Sequence, residues 1–333
     1  MSQPKVSVIV AVYNAEKTLS RCLDSLKVQT LQEIEFVCVD DGSTDNSPRI
    51  LDEYAAKDGR FRVFHKANEG VSATRQFGLD HICGEYVIHL DADDYAESDG
   101  YRHLYEAAQI EDSDIVICDA KRITNKGIEY LNYSAPDYSV ASLIKRTFSW
   151  ELSSLSNRLI RTALVSRYGL CFPKVMQLSE DRFFITCLLC RSLKRGDTLK
   201  LTYLNEAVFY YDNTANPASL TKFNSMRESM ARMTDSFRAI VNEVDMILFG
   251  KDFYSFIMNL AFKALWSYGK SDLREEDYQS LFGTFFDGIE LYAPAGSRKN
   301  LVLLAKRQGI SAANRLKWIA IPTILSDKVR LNK

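Results

Sequence analysis

The stretch Val6–Val12, VSVIVAV, constrains this chain more than any other. It is apolar but for one serine, and it is rich in β-branched residues. A half-exposed strand alternates apolar and polar side chains. A continuous run is the mark of a strand buried on both faces, as in the parallel sheets of α/β proteins. The pattern then repeats. Ile34–Val39 is a second such strand, ending in Asp40-Asp41-Gly42-Ser43. Phe61–Phe64, Glu85–Leu90 and Asp114–Cys118 follow. Between them lie helical patterns. One follows Asn14, a candidate N-cap, and puts Leu19, Cys22, Leu23 and Leu26 on one face. The others run over Asp45–Lys57, Val71–Ile82 (opened by Gly70) and Tyr101–Ile110.

Strand, helix, strand, helix predicts a mostly parallel central sheet with helices on both faces. In such sheets ligands bind beyond the carboxyl ends of the strands. The polar clusters Tyr13-Asn14, Asp40-Asp41 and Asp91–Asp94 all fall at such ends, so the fold should bring them together. After about residue 220 amphipathic helices take over: Ser225–Val241, Phe253–Tyr268, Glu276–Phe286, and Arg298 onward. The expected division is an α/β domain over 1–222 and a helical region over 223–333.

Several function classes are disfavoured. A net charge of -1 over 333 residues gives no general attraction to nucleic acid. No Gly-x-Gly-x-x-Gly follows the first strand, and no P-loop Gly-Lys-Ser/Thr occurs. The seven cysteines are an odd number and mostly sit in apolar runs, which suggests reduced, packed thiols and a cytoplasmic setting. Cys187-x-x-Cys190 lies in an apolar helical run with no second pair, so core packing is expected there. His65, His81, His89 and His103 show no ligand spacing. No signal peptide is evident, and no segment is apolar for the roughly 18 residues that a membrane span needs.

The chemistry concentrates in His89–Tyr95, HLDADDY. Asp91-Ala92-Asp93 has the form Asp-x-Asp, and no Lys or Arg lies between His89 and Ser98 to offset the charge. Carboxylates two residues apart in a turn can converge on one hard divalent cation, Mg²⁺ or Mn²⁺, together with a diphosphate. A solvated, capped turn is the other reading of the same residues.

Four segments in order, VSVIVAVYNAEKTLSRCLDSLKVQT, VCVDDGSTDNS, NEGVSATRQFGLD and GEYVIHLDADDY, resemble the GT-A-fold family 2 glycosyltransferases. These bacterial enzymes move a sugar from a nucleotide-diphosphate sugar to an acceptor hydroxyl, usually with inversion. The resemblance covers about residues 4–120 and continues through SNRLIRTALVSRYGLCFP and LSEDRFF to about 220. It implies a GT-A (nucleotide-diphospho-sugar transferase) fold with a helical C-terminal extension. The expected donor is a UDP-sugar, with Mn²⁺ or Mg²⁺ as cofactor. The expected acceptor is a saccharide or lipid-linked saccharide of the cell envelope, as in capsule or lipopolysaccharide. By resemblance Tyr13 stacks on the base, with backbone contacts from Ala11 and Val12. Asp41 takes a uracil N–H, and Asp40 supports the turn. Asn68 and Gly70 shape the next loop, Arg75 lies near base or phosphates, and Lys66 is a weaker phosphate candidate. Asp91 faces the ribose and a metal-bound water, Ala92 belongs to the same nucleotide-sugar-binding stretch, and Asp93, with Asp91, holds the metal. Asp94 is an extra contact or a turn residue. The base for the acceptor hydroxyl is Asp181, with Glu180 as alternative. Relatives often have Gly where this chain has Ser179. Rival readings are a sugar nucleotidyltransferase and a catalytically inactive saccharide-binding or scaffold subunit. The first would favour a Gly-rich N-terminal loop that is absent here. The second sits poorly with Asp41, Asp91, Asp93 and Asp181 all being present.

Two C-terminal features complete the reading. Tyr210–Lys222 lies where relatives carry a loop over the donor phosphates, and its basic residue here is Lys222. From Arg298 to Lys333 basic residues and Leu, Ile and Trp318 interleave, with Asp327 the only acid. That pattern suits either peripheral contact with an anionic membrane, at the inner face of the cytoplasmic membrane, or a packed helix with a basic face.

Overall fold

The computed structural model describes residues 3–148, 154–174, 176, 178–214, 225–268 and 271–316. It divides into two compact units, Met1–Ser219 and Leu220–Lys333. The boundary expected near Lys222 falls outside the described residues.

The first unit is built on a nine-stranded sheet. The strands are β1 (Val6–Val12), β2 (Ile34–Asp40), β3 (Phe61–His65), β4 (Tyr86–His89), β5 (Tyr95–Ala96), β6 (Ile115–Thr124), β7 (Gly127–Leu131), β8 (Arg158–Arg161) and β9 (Leu201–Asp212). Their order is β3-β2-β1-β4-β8-β6-β9-β5, with β7 paired to β6. The expected parallel sheet is the β3-β2-β1-β4 half. The other half is mixed. β8 runs antiparallel to both β4 and β6, β5 runs antiparallel to β9 and β7 to β6, and only β6 and β9 are parallel. Local pattern could not show this, because β5 and β8 are only two and four residues long and carry no period to read.

β1 is buried as its composition demands. Val6, Val8, Val10 and Val12 enter the core with Leu19, Cys22, Leu23 and Leu26 of the helix Leu19–Lys27. Each fully buried valine is worth about 1.5–3 kcal/mol. On the opposite face Ile9 meets the helix Val71–Leu79. A Cβ on Gly78 of that helix would stand 2.6 Å from Ile9 Cγ2, so a glycine is needed for the helix to lie this close. That close seat fixes the height of Arg75, one turn earlier, over the strand ends.

Asn14 does not cap the first helix, whose N-cap is Thr18. It adopts a left-handed conformation, φ 47°, for which asparagine is well suited. Its Oδ1 accepts from the Thr44 N–H at 2.8 Å, and its own N–H donates to Ser43 Oγ at 2.9 Å. Asn14 therefore stitches the loop after β1 to the loop after β2.

The second unit is helical. Met246–Ser267 is its long central helix, started two turns earlier than the apolar pattern suggests because Asp245 Oδ1 caps the N–H groups of Ile247 and Leu248. Its own Phe253 is buried, as are Phe237, Phe282, Phe285 and Phe286 of the neighbouring segments. Of the basic C-terminal stretch, Ser297–Gln308 and Ile310–Leu316 are helices. Leu301, Val302, Ala305, Ile310 and Ala313 are buried, while Lys306 pairs with Asp287 and Glu290, and Arg307 with Glu290. This part packs as a helix with a basic outer face. Residues 317–333 lie outside the described residues, as do 215–222 of the expected donor loop. No described helix is long and apolar enough to cross a membrane.

Candidate active site at the strand ends

The loops after β1, β2 and β4 do meet. β1 pairs with β2 and with β4, so their carboxyl ends lie side by side. Tyr13 stands at the rim with 52% of its surface exposed. Ala11 is half-buried and Val12 buried in the strand behind it.

The loop after β2 is held by its two aspartates. Asp40 Oδ1 accepts the Ser43 N–H at 3.0 Å and its Oδ2 meets His65 Nδ1 at 3.0 Å, a turn-supporting role. Asp41 is buried. Its Oδ1 accepts Lys66 Nζ (2.7 Å) and the Glu69 N–H (2.9 Å), and its Oδ2 accepts the Gly70 N–H (2.8 Å). Three of the roughly four acceptor positions of the carboxylate are thus filled from within the chain. Lys66 is likewise engaged, by Asp41 and Glu69. Gly42 has φ 69°, and a Cβ there would stand 2.9 Å from the Asn68 amide nitrogen. Only glycine lets the two loops touch. Asn68 is exposed beside it, and Gly70, φ 90°, turns the chain into the next helix.

β4 ends in a turn closed by the Asp94 N–H on the Asp91 carbonyl at 3.0 Å. Ala92 is buried, and the carboxylates of Asp91, Asp93 and Asp94 each offer an oxygen within 4.8 Å of the others. Among the described residues this is the one cluster of its kind. Asp94 is the most enclosed, and burial together with the charges of Asp91 and Asp93 pushes its carboxyl well above the usual range. The set is rich in hard oxygen donors and has excess negative charge, which is the chemistry that suits Mg²⁺ or Mn²⁺.

Arg75 joins this turn to a distant segment. It is almost fully buried. Its Nη2 donates to Asp91 Oδ1 at 2.7 Å, and its Nη1 reaches Glu180 Oε1 at 2.6 Å and also Asp181 Oδ1. One guanidinium therefore gathers carboxylates that are 16, 105 and 106 residues away in the chain. His89 lies behind it, and burial with the Arg75 charge holds its pKa well below the ordinary value. A neutral imidazole leaves the positive charge of Arg75 to the acids.

Glu180 and Asp181 open the helix Glu180–Lys194, where the helix dipole favours negative charge. Asp181 Oδ2 accepts the Leu155 N–H at 3.2 Å. Burial is the largest influence on Asp181 and raises its pKa, Arg75 opposes it, and Glu180 and Asp91 add to it; the carboxyl is pushed up to about 7. Ser179, just ahead, takes φ 62° and makes no capping bond with its side chain. That conformation explains why a glycine would suit this position.

Two residues of this region escaped the sequence reading. Asp212 ends β9, and its N–H donates to Asp94 Oδ1 at 2.9 Å. Arg21 pairs with Asp212. An acid closing an apolar strand, Tyr210-Tyr211-Asp212, was the available signal, the same one that marked Asp40 and Asp91.

The glycosyl transferase family 2 matches residues 7–169. EpsH of Bacillus subtilis, provisionally named a glycosyltransferase, is 36% identical over 197 residues, 55% of each chain. EpsJ of the same organism, an uncharacterized glycosyltransferase, is 32% identical over 229 residues, 66% of this chain and 63% of its own. This chain thus spans between half and two thirds of the length of these curated relatives. In fold it is similar to residues 1–349 of S. aureus TarS, solved in complex with UDP-GlcNAc, with a TM-score of 0.74 over 93% of this chain and 89% of that one at 22% identity. That neighbour shares the GT-A type of architecture. Residues 7–169, just under half of the chain, thus form a glycosyl transferase family 2 domain.

Proposed function

We propose that this protein is a metal-dependent, inverting glycosyltransferase that moves a sugar from a UDP-sugar to an acceptor hydroxyl in cell-surface polysaccharide synthesis. The observation that carries the reading is the convergence on Arg75. Asp91 of the acidic turn and Asp181 at a helix start share one guanidinium. A donor-side carboxylate and a base-side carboxylate are thereby held within one side chain of each other.

In this reading Tyr13 stacks on the uracil, while Asp41, Asn68 and Gly70 form the wall of the nucleotide pocket. The one acceptor position left on Asp41 is available to the uracil N–H. Asp93 and Asp91 would hold the cation, with Asp94 beneath them. A bound Mn²⁺ or Mg²⁺ supplies Lewis-acid stabilisation of the charge that develops on the departing diphosphate. Asp181 takes the proton of the acceptor hydroxyl. The acceptor oxygen bonds to the anomeric carbon as the bond from that carbon to the phosphate oxygen breaks, and UDP leaves with the electron pair. A base with a pKa of about 7 is half ionised near neutrality and strong enough to accept the proton.

Use of a UDP-sugar draws further support from the UDP-GlcNAc complex of the structural neighbour. A saccharide polymer as acceptor fits a relative named poly(ribitol-phosphate) beta-glucosyltransferase from Bacillus spizizenii, 30% identical over 184 residues. Calorimetry of UDP binding with and without Mn²⁺ tests the roles. Asp93→Asn should lose the metal-dependent part of UDP affinity. Asp181→Asn should keep it and lose turnover in a UDP-release assay across several UDP-sugars. Unchanged metal-dependent affinity in Asp93→Asn would remove the metal assignment, and full turnover in Asp181→Asn would remove the base.

A further inference from the structure

Arg21 stands on the helix Leu19–Lys27, outside the residues given roles above. Its guanidinium makes three contacts around the acidic turn. Nη2 donates to the carbonyl oxygen of Asp93 at 2.7 Å. Nη1 pairs with Asp212 Oδ2, also at 2.7 Å. The guanidinium carbon lies 4.7 Å from the ring centroid of Tyr95, the residue that follows the turn.

Each contact is carried further. Asp212 passes the hold to Asp94 through its own N–H, 2.9 Å from Asp94 Oδ1, while its side chain also accepts from the N–H and hydroxyl of Thr214. Tyr95 stacks on Tyr210 at 4.4 Å and 14°. Lys121 Nζ lies 4.7 Å from the Tyr210 centroid and pairs with Glu97 at 2.6 Å. The turn is thus fastened at the Asp93 carbonyl, at the Asp94 carboxylate and at the Tyr95 ring. Arg21 touches the first and third directly and reaches the second through Asp212.

A turn with three carboxylates this close repels itself when no cation is bound. A fork that grips its backbone sets where the carboxylates aim before a cation arrives. Arginine suits this task because its planar fork bonds at two fixed points while its face lies against a ring, and the compact ammonium of lysine has no such plane or fixed spacing. We propose that Arg21 is a positioning residue for the divalent cation: with Asp212 and Tyr95 it presets the Asp91–Asp94 turn for metal binding. The inference rests on the reading of Asp91 and Asp93 as cation ligands.

Charge and geometry predict opposite signs here, which makes the inference testable. Arg21 is itself positive, so removing it should strengthen cation binding if charge alone counts. It should weaken binding if position counts. The measurement is Mn²⁺ affinity of the full chain in the presence of UDP, read from the paramagnetic resonance signal of free Mn²⁺, with UDP calorimetry without metal alongside. Both Arg21→Gln and Arg21→Lys should bind Mn²⁺ about tenfold more weakly, the low end for loss of a partner supporting metal ligands. Metal-free UDP affinity should stay at the wild-type level, a result that a general folding defect would not give. The Arg21 side chain is 41% exposed, so its loss opens no buried void. Tighter or unchanged Mn²⁺ binding in Arg21→Gln, or wild-type affinity in Arg21→Lys, would overturn the inference. UDP binding by the wild type that ignores Mn²⁺ would overturn the metal reading with it. Metal-dependent binding left intact in both variants would overturn this inference alone.

Discussion

Replacing Arg75 with glutamine should move the pH dependence of catalysis toward higher pH. Arg75 lies 2.7 Å from Asp91, 2.6 Å from Glu180 and in contact with Asp181, and it is the chief influence holding the Asp181 pKa down. Two unit charges about 4 Å apart interact by about 1 kcal/mol in water and about 4 kcal/mol at an effective dielectric of 20. At about 1.4 kcal/mol per pKa unit, losing the guanidinium should raise Asp181 by about one to three units. From a starting value of about 7, the ionised fraction at pH 7 would then fall from about a half to between about a tenth and a thousandth. The rate should rise with pH, because the base works only when ionised. The assay is kcat/KM for UDP release against pH, which reports the groups of the free enzyme. The wild type should show a rising limb centred near 7, and Arg75→Gln the same limb at least one unit higher. Arg75→Lys, which keeps the charge, should return it toward 7. A limb at or below the wild-type position in Arg75→Gln would refute the reasoning, whatever the drop in rate.

Three further expectations follow from the same residues. A carboxyl whose pKa is raised in the fold binds a proton there that the unfolded chain has already released, so Asp181 takes stability away as pH rises from about 4 through about 7. Asp181→Asn should therefore gain melting temperature over the wild type at pH 8 and lose most of that gain at pH 5; an advantage that grew toward low pH would contradict the shift. Ser179→Gly relieves a left-handed residue that makes no capping bond, worth about 1 kcal/mol, so its melting temperature should rise by about 2–4 °C with turnover intact. A fall would show that Ser179 holds something the backbone conformation does not reveal. For the C-terminus, a chain ended after Leu316 keeps the buried residues Leu301 to Ala313 and removes the rest of the basic segment. Reduced co-sedimentation with anionic liposomes would support membrane contact through residues 317–333, and equal recovery would remove it.

Much of the site was legible because it follows from strand ends. A buried parallel strand must stop at its carboxyl edge, and polar residues there have nowhere to go but the ligand crevice. That reasoning reached Tyr13, Asp41 and Asp91–Asp94 without coordinates. It misread Asn14, because an asparagine before a helix looks the same whether it caps the helix or takes a left-handed turn. It passed over Arg21 and Asp212, since an arginine on an amphipathic helix looks like surface charge until a partner 191 residues away is brought to it.

The sequence by itself determined the parallel half of the sheet, the helical second unit and the types of residue at the site. Apolar runs, helical periods and carboxylates are local properties, and they are written locally. Only the tertiary structure decided the mixed half of the sheet, where short strands carry no period. It also decided which acids share a guanidinium. Arg75 serves Asp91, Glu180 and Asp181 because Gly78 seats its helix close to β1. The shifted pKa of Asp181 then follows from burial and neighbouring charge, two quantities that exist only once the chain has folded.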